Sequence, residues 1–132
     1  MQIGEEWLVE AAGCRADGLA SVERMRGLFD RIIIELDLHP VHEPLFHAFP
    51  PPGGITGLVI LSESHLACHS YPEHGILTIN LYCCRPRAEW PWRERLQELF
   101  GATSVEVRAI ERSVAAEVMP WIRERVATAH PA

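Results

Sequence analysis

The sequence predicts an α+β fold, a two-layer sandwich in which an antiparallel sheet carries its helices on one face. Three observations point there. Between Gly57 and Cys83 strand signals follow one another across turns too short to hold a helix. Amphipathic helical stretches lie between and after these runs of adjacent strands. A length of 132 residues, 48% of them apolar, suits one domain that buries a core without staples. The uncovered second face of such a sheet is available to a partner subunit.

Element by element, Trp7 to Ala12 reads as a first strand. Ser21 is placed as an N-cap with Glu23 in the first turn. Val22, Met25, Leu28, Phe29, Ile32, Ile33 and Leu36 then recur at helical spacing, giving an amphipathic helix to about Leu38. His39 to Phe49 is a second extended segment, closed by the Pro and Gly run from Pro50 to Gly54, which forces an irregular connection. Three strands follow, Gly57 to Leu61, Leu66 to Tyr71 and Ile76 to Cys83, the last two joined by the turn Pro72-Glu73-His74-Gly75. Glu89 to Phe100 predicts a helix with Trp92, Leu96, Leu99 and Phe100 on one side, ended by Gly101. Ser104 to Ile110 alternates as a last strand, and Val114 to Val126 is expected as a terminal helix interrupted by Pro120.

Composition narrows the chemistry. The chain holds 12 basic and 18 acidic residues, a net charge of −6, and all of the basic ones are arginine. Without a lysine there is no internal aldimine to pyridoxal phosphate, no lysine Schiff base and no P-loop lysine. The acidic balance argues against a nucleic-acid partner. No apolar run of signal-peptide length with a basic flank occurs in the first 30 residues, so no membrane partner and a cytoplasmic location are expected. Cys14, Cys68, Cys83 and Cys84 then read as free thiols.

Candidate chemistry concentrates between Thr56 and Cys84. A four-residue turn centred between Glu73 and His74 pairs Ser64 with Cys83, Glu63 with Cys84 and His69 with Thr78; a slip of one residue would exchange the faces. His65, Cys68, His69 and Cys84 are ligands by type, but strand residues four apart are about 13 Å apart. No metal site is expected, there being no paired CxxC or HExxH spacing. Taken singly, His69 reads as a satisfied strand histidine, Cys68 as a small core residue and Glu73 as a turn carboxylate. A Ser/His/Asp triad is weak, because Asp17, Asp30 and Asp37 all lie in or near the first helix.

The run taken whole is more specific. Ser62-Glu63-Ser64-His65, then His69-Ser70-Tyr71-Pro72-Glu73, resembles the S-E-S-H-x-x-x-H-[ST]-[WY]-P-E signature of the prokaryotic S-adenosylmethionine decarboxylases. Cys84 follows His69 by the 15 residues that separate the family's histidine and cysteine, and Gly54-Ile55-Thr56-Gly57 is similar to its G-V-S-G turn. The resemblance runs from about residue 4 to 112.

That resemblance implies a pyruvoyl group made from the chain itself, which suits the missing lysine. One domain, residues 1–132, would cut itself between Glu63 and Ser64 by attack of Ser64 on the Glu63 carbonyl, and residue 64 would become the cofactor. It further implies that His69 is the processing base and that Thr56, where relatives have serine, supports processing more slowly. The pyruvoyl ketone would form a Schiff base with the substrate amine, and Cys84 would return a proton to the α-carbon. Glu73 matches the ribose ligand, while Phe49 and Tyr71 complete the substrate-binding set, Phe49 as an adenine platform or else a core residue. A homodimer of cleaved protomers is expected, serving spermidine synthesis.

Departures from the family pattern cluster in Asn80-Leu81-Tyr82-Cys83-Cys84-Arg85, where relatives read D-[IL]-F-T-C-G. Asn80 removes a charge, Cys83 adds a second thiol, and Arg85 places a cation where glycine is usual. They leave open the alternatives of a pyruvoyl-dependent ornithine or arginine decarboxylase and, behind these, an unprocessed non-catalytic paralogue.

Overall fold

Alternation along Ile55–Leu61 makes the sheet one-sided: Ile55, Val59 and Leu61 are buried, whereas Thr56, Leu58 and Ile60 are exposed. In the computed structural model, which describes residues 1–115, the order is β1 (Gln2–Ala12), α1 (Ala16–Leu19), α2 (Val22–Glu35), β2 (Leu45–Ala48), β3 (Ile55–Leu61), β4 (Ser64–Tyr71), β5 (Ile76–Cys83), α3 (Trp92–Phe100) and β6 (Ser104–Ser113). A short 3-10 turn, Pro72–His74, joins β4 to β5. All neighbours pair antiparallel in one six-stranded sheet of order β2-β3-β4-β5-β1-β6. The expected α+β sandwich is what forms. Among the described residues no helix is long and apolar enough to cross a membrane.

One core lies between sheet and helices. Met25, Leu28, Phe29 and Ile32 of α2 and Trp92, Leu96 and Phe100 of α3 meet Val9, Val59, Leu66, Leu77, Ile79 and Leu81 of the sheet. Ser21 caps α2 as expected, its Oγ accepting the Arg24 N–H at 3.2 Å. The helix ends at Glu35 rather than Leu38, because Asp37 turns to φ +53° and Leu38 N–H bonds back to the Ile33 carbonyl. Gly101 ends α3 in the left-handed conformation, as expected. On the opposite face Leu45, Leu58, Ile60 and Ile110 are exposed.

Other boundaries moved where tertiary partners override local pattern. β1 begins at Gln2, since Glu5 and Glu6 pair with both β5 and β6. The expected extended segment 39–49 is strand only over Leu45–Ala48, with one further bridge between Pro40 and Leu61. α3 starts at Trp92, three residues late, behind Pro91. β6 continues to Ser113 along β1. The helix expected over Val114–Val126 lies, apart from residues 114 and 115, outside the described residues; those two have no regular structure.

Two glycines of opposite kind test this packing. A Cβ on Gly54 would sit 1.8 Å from the Ser70 carbonyl oxygen, whereas one on Gly27, in α2, meets nothing within 4 Å. Gly54→Ala is expected to cost about 1–3 kcal/mol by overpacking. Gly27→Ala is expected to gain about 0.5–1 kcal/mol from helix propensity. Urea unfolding midpoints of the two variants should therefore move in opposite directions; a Gly54→Ala midpoint at or above the unsubstituted one contradicts the close approach.

Candidate active site

The β4–β5 hairpin adopts the register expected from the sequence, pairing Ser64 with Cys83 and His69 with Thr78. One step beyond the Ser64–Cys83 pair, the Cys84 N–H donates to the Glu63 carbonyl oxygen at 2.8 Å. On the other side of β4, only Ser62 and Glu63 separate Leu61 from its cross-strand partner Ser64. Two-residue hairpin loops usually place positive φ on their central residues, commonly glycine or asparagine. Here the positive φ falls instead on Ser64, at +151°, a sparsely populated conformation that costs about 1–3 kcal/mol. The Glu63-Ser64 peptide is thus a strained turn whose carbonyl is polarised by a backbone donor.

Ser64 Oγ lies 3.0 Å from His65 Nδ1, and the His65 ring stacks on Tyr82 at 5.8 Å between centroids. The Glu63 side chain folds inward, leaving the residue 8% exposed. His39 grips it twice, its backbone N–H 3.0 Å from Oε1 and its Nδ1 2.6 Å from Oε2, and Arg87 Nη2 lies 3.3 Å from Oε2. Burial would raise the Glu63 carboxyl, but the hydrogen bonds from His39 outweigh it and hold the group below its ordinary range. The same contact raises the His39 imidazole. Burial pushes the Cys83 thiol up to about 11, so this extra cysteine is a neutral thiol at pH 7, while Cys84 is half-buried.

A second cluster lies at the far end of β4. Thr56 Oγ1 is 2.7 Å from His69 Nδ1 across the β3–β4 ladder. The His69 ring contacts Tyr71 at 4.6 Å and Phe49 at 6.2 Å, both edge-on. Phe49 is 44% exposed, which removes its reading as a core residue. It shares a cavity of about 540 Å³ with Glu73, walled by Pro52, Gly54 and Pro72. Glu73 is exposed on the 3-10 turn, its Oε1 3.9 Å from His74 Nε2. His69 is five residues from Ser64, about 16 Å along a strand. Within one chain, then, Ser64, Glu63 and Cys84 form one group, and Thr56, His69, Tyr71, Phe49 and Glu73 form another.

Sequence reasoning missed four contributors. His39 and Arg87 carry no motif and reach Glu63 only through the fold. His65 stood within the signature but without a role. Ser70, 1% exposed, accepts the Ile55 N–H at 2.9 Å and donates to the Leu19 carbonyl at 2.7 Å, tying β3 and α1 to β4; the serine-or-threonine position of the signature was the available hint. Among the described residues no group of three or more His, Cys, Asp or Glu side chains could hold a metal ion.

The family model described as S-adenosylmethionine decarboxylase matches residues 5–113. The S-adenosylmethionine decarboxylase proenzyme of Pelotomaculum thermopropionicum is 32% identical over 116 residues, which cover 87% of this chain and 90% of that relative. The proenzyme of Moorella thermoacetica is 33% identical over 113 residues, with coverage of 85% and 89%. That of Shouchella clausii is 35% identical over 118 residues, with coverage of 85% and 86%. In three dimensions the chain is similar to the crystal structure of the adenosylmethionine decarboxylase from Aquifex aeolicus, with a TM-score of 0.72, 26% identity and coverage of 89% and 97%.

The His39–Glu63 pair makes stability depend on pH in a defined window. The contribution of Glu63 is complete above its ordinary value of 4.5 and fades as pH falls through its lowered one. That of His39 is complete below its ordinary 6.5 and fades as pH rises through its raised one. Thermal midpoints of the intact chain and of His39→Gln, measured from pH 4 to pH 9, should therefore differ most between about 4.5 and 6.5. A difference that grows above pH 8 rules the pair out as the cause.

Proposed function

The chain belongs to the S-adenosylmethionine decarboxylase family, and from that premise we propose that it decarboxylates S-adenosylmethionine with a pyruvoyl group made by its own cleavage between Glu63 and Ser64. The observation that carries this reading is the 2.8 Å hydrogen bond from Cys84 N–H to the Glu63 carbonyl, at a turn where Ser64 holds φ +151°. A donor already aimed at the oxygen that must become an oxyanion lowers the barrier to attack on that carbonyl. Strain at the following residue raises the ground state of the peptide to be broken. The relatives that the chain matches are named proenzymes, which agrees with a precursor that matures.

In this reading Ser64 Oγ attacks the Glu63 carbonyl carbon, and His65 Nδ1, at 3.0 Å, is placed to take the hydroxyl proton. The carbon–nitrogen bond breaks, the nitrogen taking that proton, to leave an ester. His69, oriented through Nδ1 by Thr56, removes the α-proton of residue 64, and the Cβ–Oγ bond breaks, leaving dehydroalanine at position 64 and releasing Glu63 as a new carboxylate. Water then replaces the nitrogen of the dehydroalanine, ammonia leaves, and residue 64 ends as a ketone. That ketone supplies the electron sink for decarboxylation. Cys84 delivers the proton to the substrate α-carbon, Glu73 takes the ribose hydroxyls, Phe49 faces the adenine and Tyr71 packs beside His69.

Because His69 lies about 16 Å along β4 from Ser64, the base serving one Ser64 is assigned to His69 of the partner subunit, in a homodimer of cleaved protomers. The exposed Leu45, Leu58 and Ile60 support the open sheet face as their contact. A cytoplasmic location and a role in spermidine synthesis belong to the same reading.

Mass spectrometry of the purified protein is expected to show two chains, residues 1–63 and a pyruvoyl-blocked 64–132, with labelled carbon dioxide released from S-adenosylmethionine. Ser64→Ala should abolish cleavage, and Cys84→Ala should mainly reduce turnover, by about 10²-fold or more if its thiol is the acid. A single uncleaved 14.9 kDa chain would sink the enzyme reading. Release from ornithine or arginine, with none from S-adenosylmethionine, would replace the substrate.

A further inference from the structure

Glu63 is an unusual turn residue. Carboxylates on two-residue hairpin loops normally extend into solvent, yet this one is buried and receives donors from two loops remote in sequence: His39, just after α2, and Arg87, just after β5. Arg87 is anchored in turn at the C-terminal end of α2, where its Nη1 reaches the Leu36 carbonyl at 3.5 Å. Its side chain is 24% exposed, and its Nε is buried without an acceptor among the described residues. A buried Nε–H left unused is costly in a purely structural pair. The arrangement asks what else the grip on Glu63 accomplishes.

The strained φ of Ser64 supplies the answer. A residue persists in such a conformation only where its surroundings over-determine it. On the backbone the turn is held by the Cys84 N–H on the Glu63 carbonyl and by the Ser62 N–H on the His39 carbonyl, each at 2.8 Å. A further constraint is on the side chain of Glu63. We propose that Arg87 and His39 are positioning residues for self-cleavage, which clamp the Glu63 side chain so that the Glu63-Ser64 peptide stays strained and its carbonyl stays on the Cys84 donor. The clamp never touches the reacting atoms; it acts through Glu63. This inference rests on the self-cleavage proposed above.

The test follows the appearance of the 1–63 fragment by mass spectrometry in freshly synthesised full-length chain. Glu63→Gln and Arg87→Gln should each slow cleavage at least about ten-fold. The double variant should be no slower than the slower single one, since both remove the same contact. Arg87→Lys, which retains a cation, should recover part of the rate, and His39→Asn, which keeps the backbone donor but loses the imidazole, should fall between Arg87→Gln and the unsubstituted chain. If Arg87→Gln does not fold by circular dichroism, the Arg87→Lys and His39→Asn rates decide. Singles that cleave at the unsubstituted rate, or slow rates that multiply in the double variant, overturn the clamp. An unsubstituted chain that never cleaves overturns the self-cleavage reading itself, and the clamp with it.

Discussion

The hydrogen bond between Cys84 N–H and the Glu63 carbonyl is the contact from which the candidate site is built. It exists because the β4–β5 register pairs Ser64 with Cys83, so that the next residue outward on each strand meets the other. That register depends on the turn at Pro72–His74, where Pro72 starts the 3-10 turn and Gly75, at φ +65°, lets the chain reverse. A slip of one residue would move Leu66, Cys68 and Ser70 from the buried face to the open one. Burial of one sheet face against α2 and α3 thus enforces the alignment of a peptide more than 10 Å from the turn that sets it.

Stability and local strain are in tension at that peptide. The core is ordinary in kind, closely packed aliphatic and aromatic side chains from sheet and helices, and it can hold a local cost of a few kcal/mol. The strain sits on Ser64, flanked by buried Leu61, Leu66 and Cys83. Glu63 is fixed twice, through its carbonyl by a strand neighbour and through its carboxylate by two loops. Ser70 does comparable work at the other end of β4, where Gly54 must pass within contact of its carbonyl. A rigid frame therefore presents the Glu63-Ser64 peptide in a strained conformation with its carbonyl on a backbone donor.

The division of the site residues into two groups has a geometric cause. A strand is extended, so residues that are neighbours in a compact motif, such as Ser64 and His69, end far apart in space. Thr56 reaches His69 because β3 runs antiparallel to β4, and the same pairing takes Thr56 away from Ser64. A motif dense in sequence is in this fold a line along the sheet rather than a cluster. Phe49 and Glu73 come together only because the Pro and Gly loop folds over the start of β3 toward the 3-10 turn.

Much of this was legible beforehand. Helix α2, its Ser21 cap, the strands β3 to β5 and the pairing of Ser64 with Cys83 followed from apolar spacing, turn residues and one antiparallel register, all of which are local properties of the chain. The motif around Glu63 and Ser64 was visible for the same reason. Local pattern carried no information about partners brought in from elsewhere. The start of β1 at Gln2, the short helix α1 and the late start of α3 depend on neighbouring strands and on Pro91. The grip of His39 and Arg87 on Glu63 depends on the end of α2 and the loop after β5 converging over one turn. By itself the sequence determined where the motif and its polar side chains fall along the strands; tertiary structure decided what surrounds them, because burial and long-range hydrogen bonds act between residues whose separation along the chain says nothing about their distance in space.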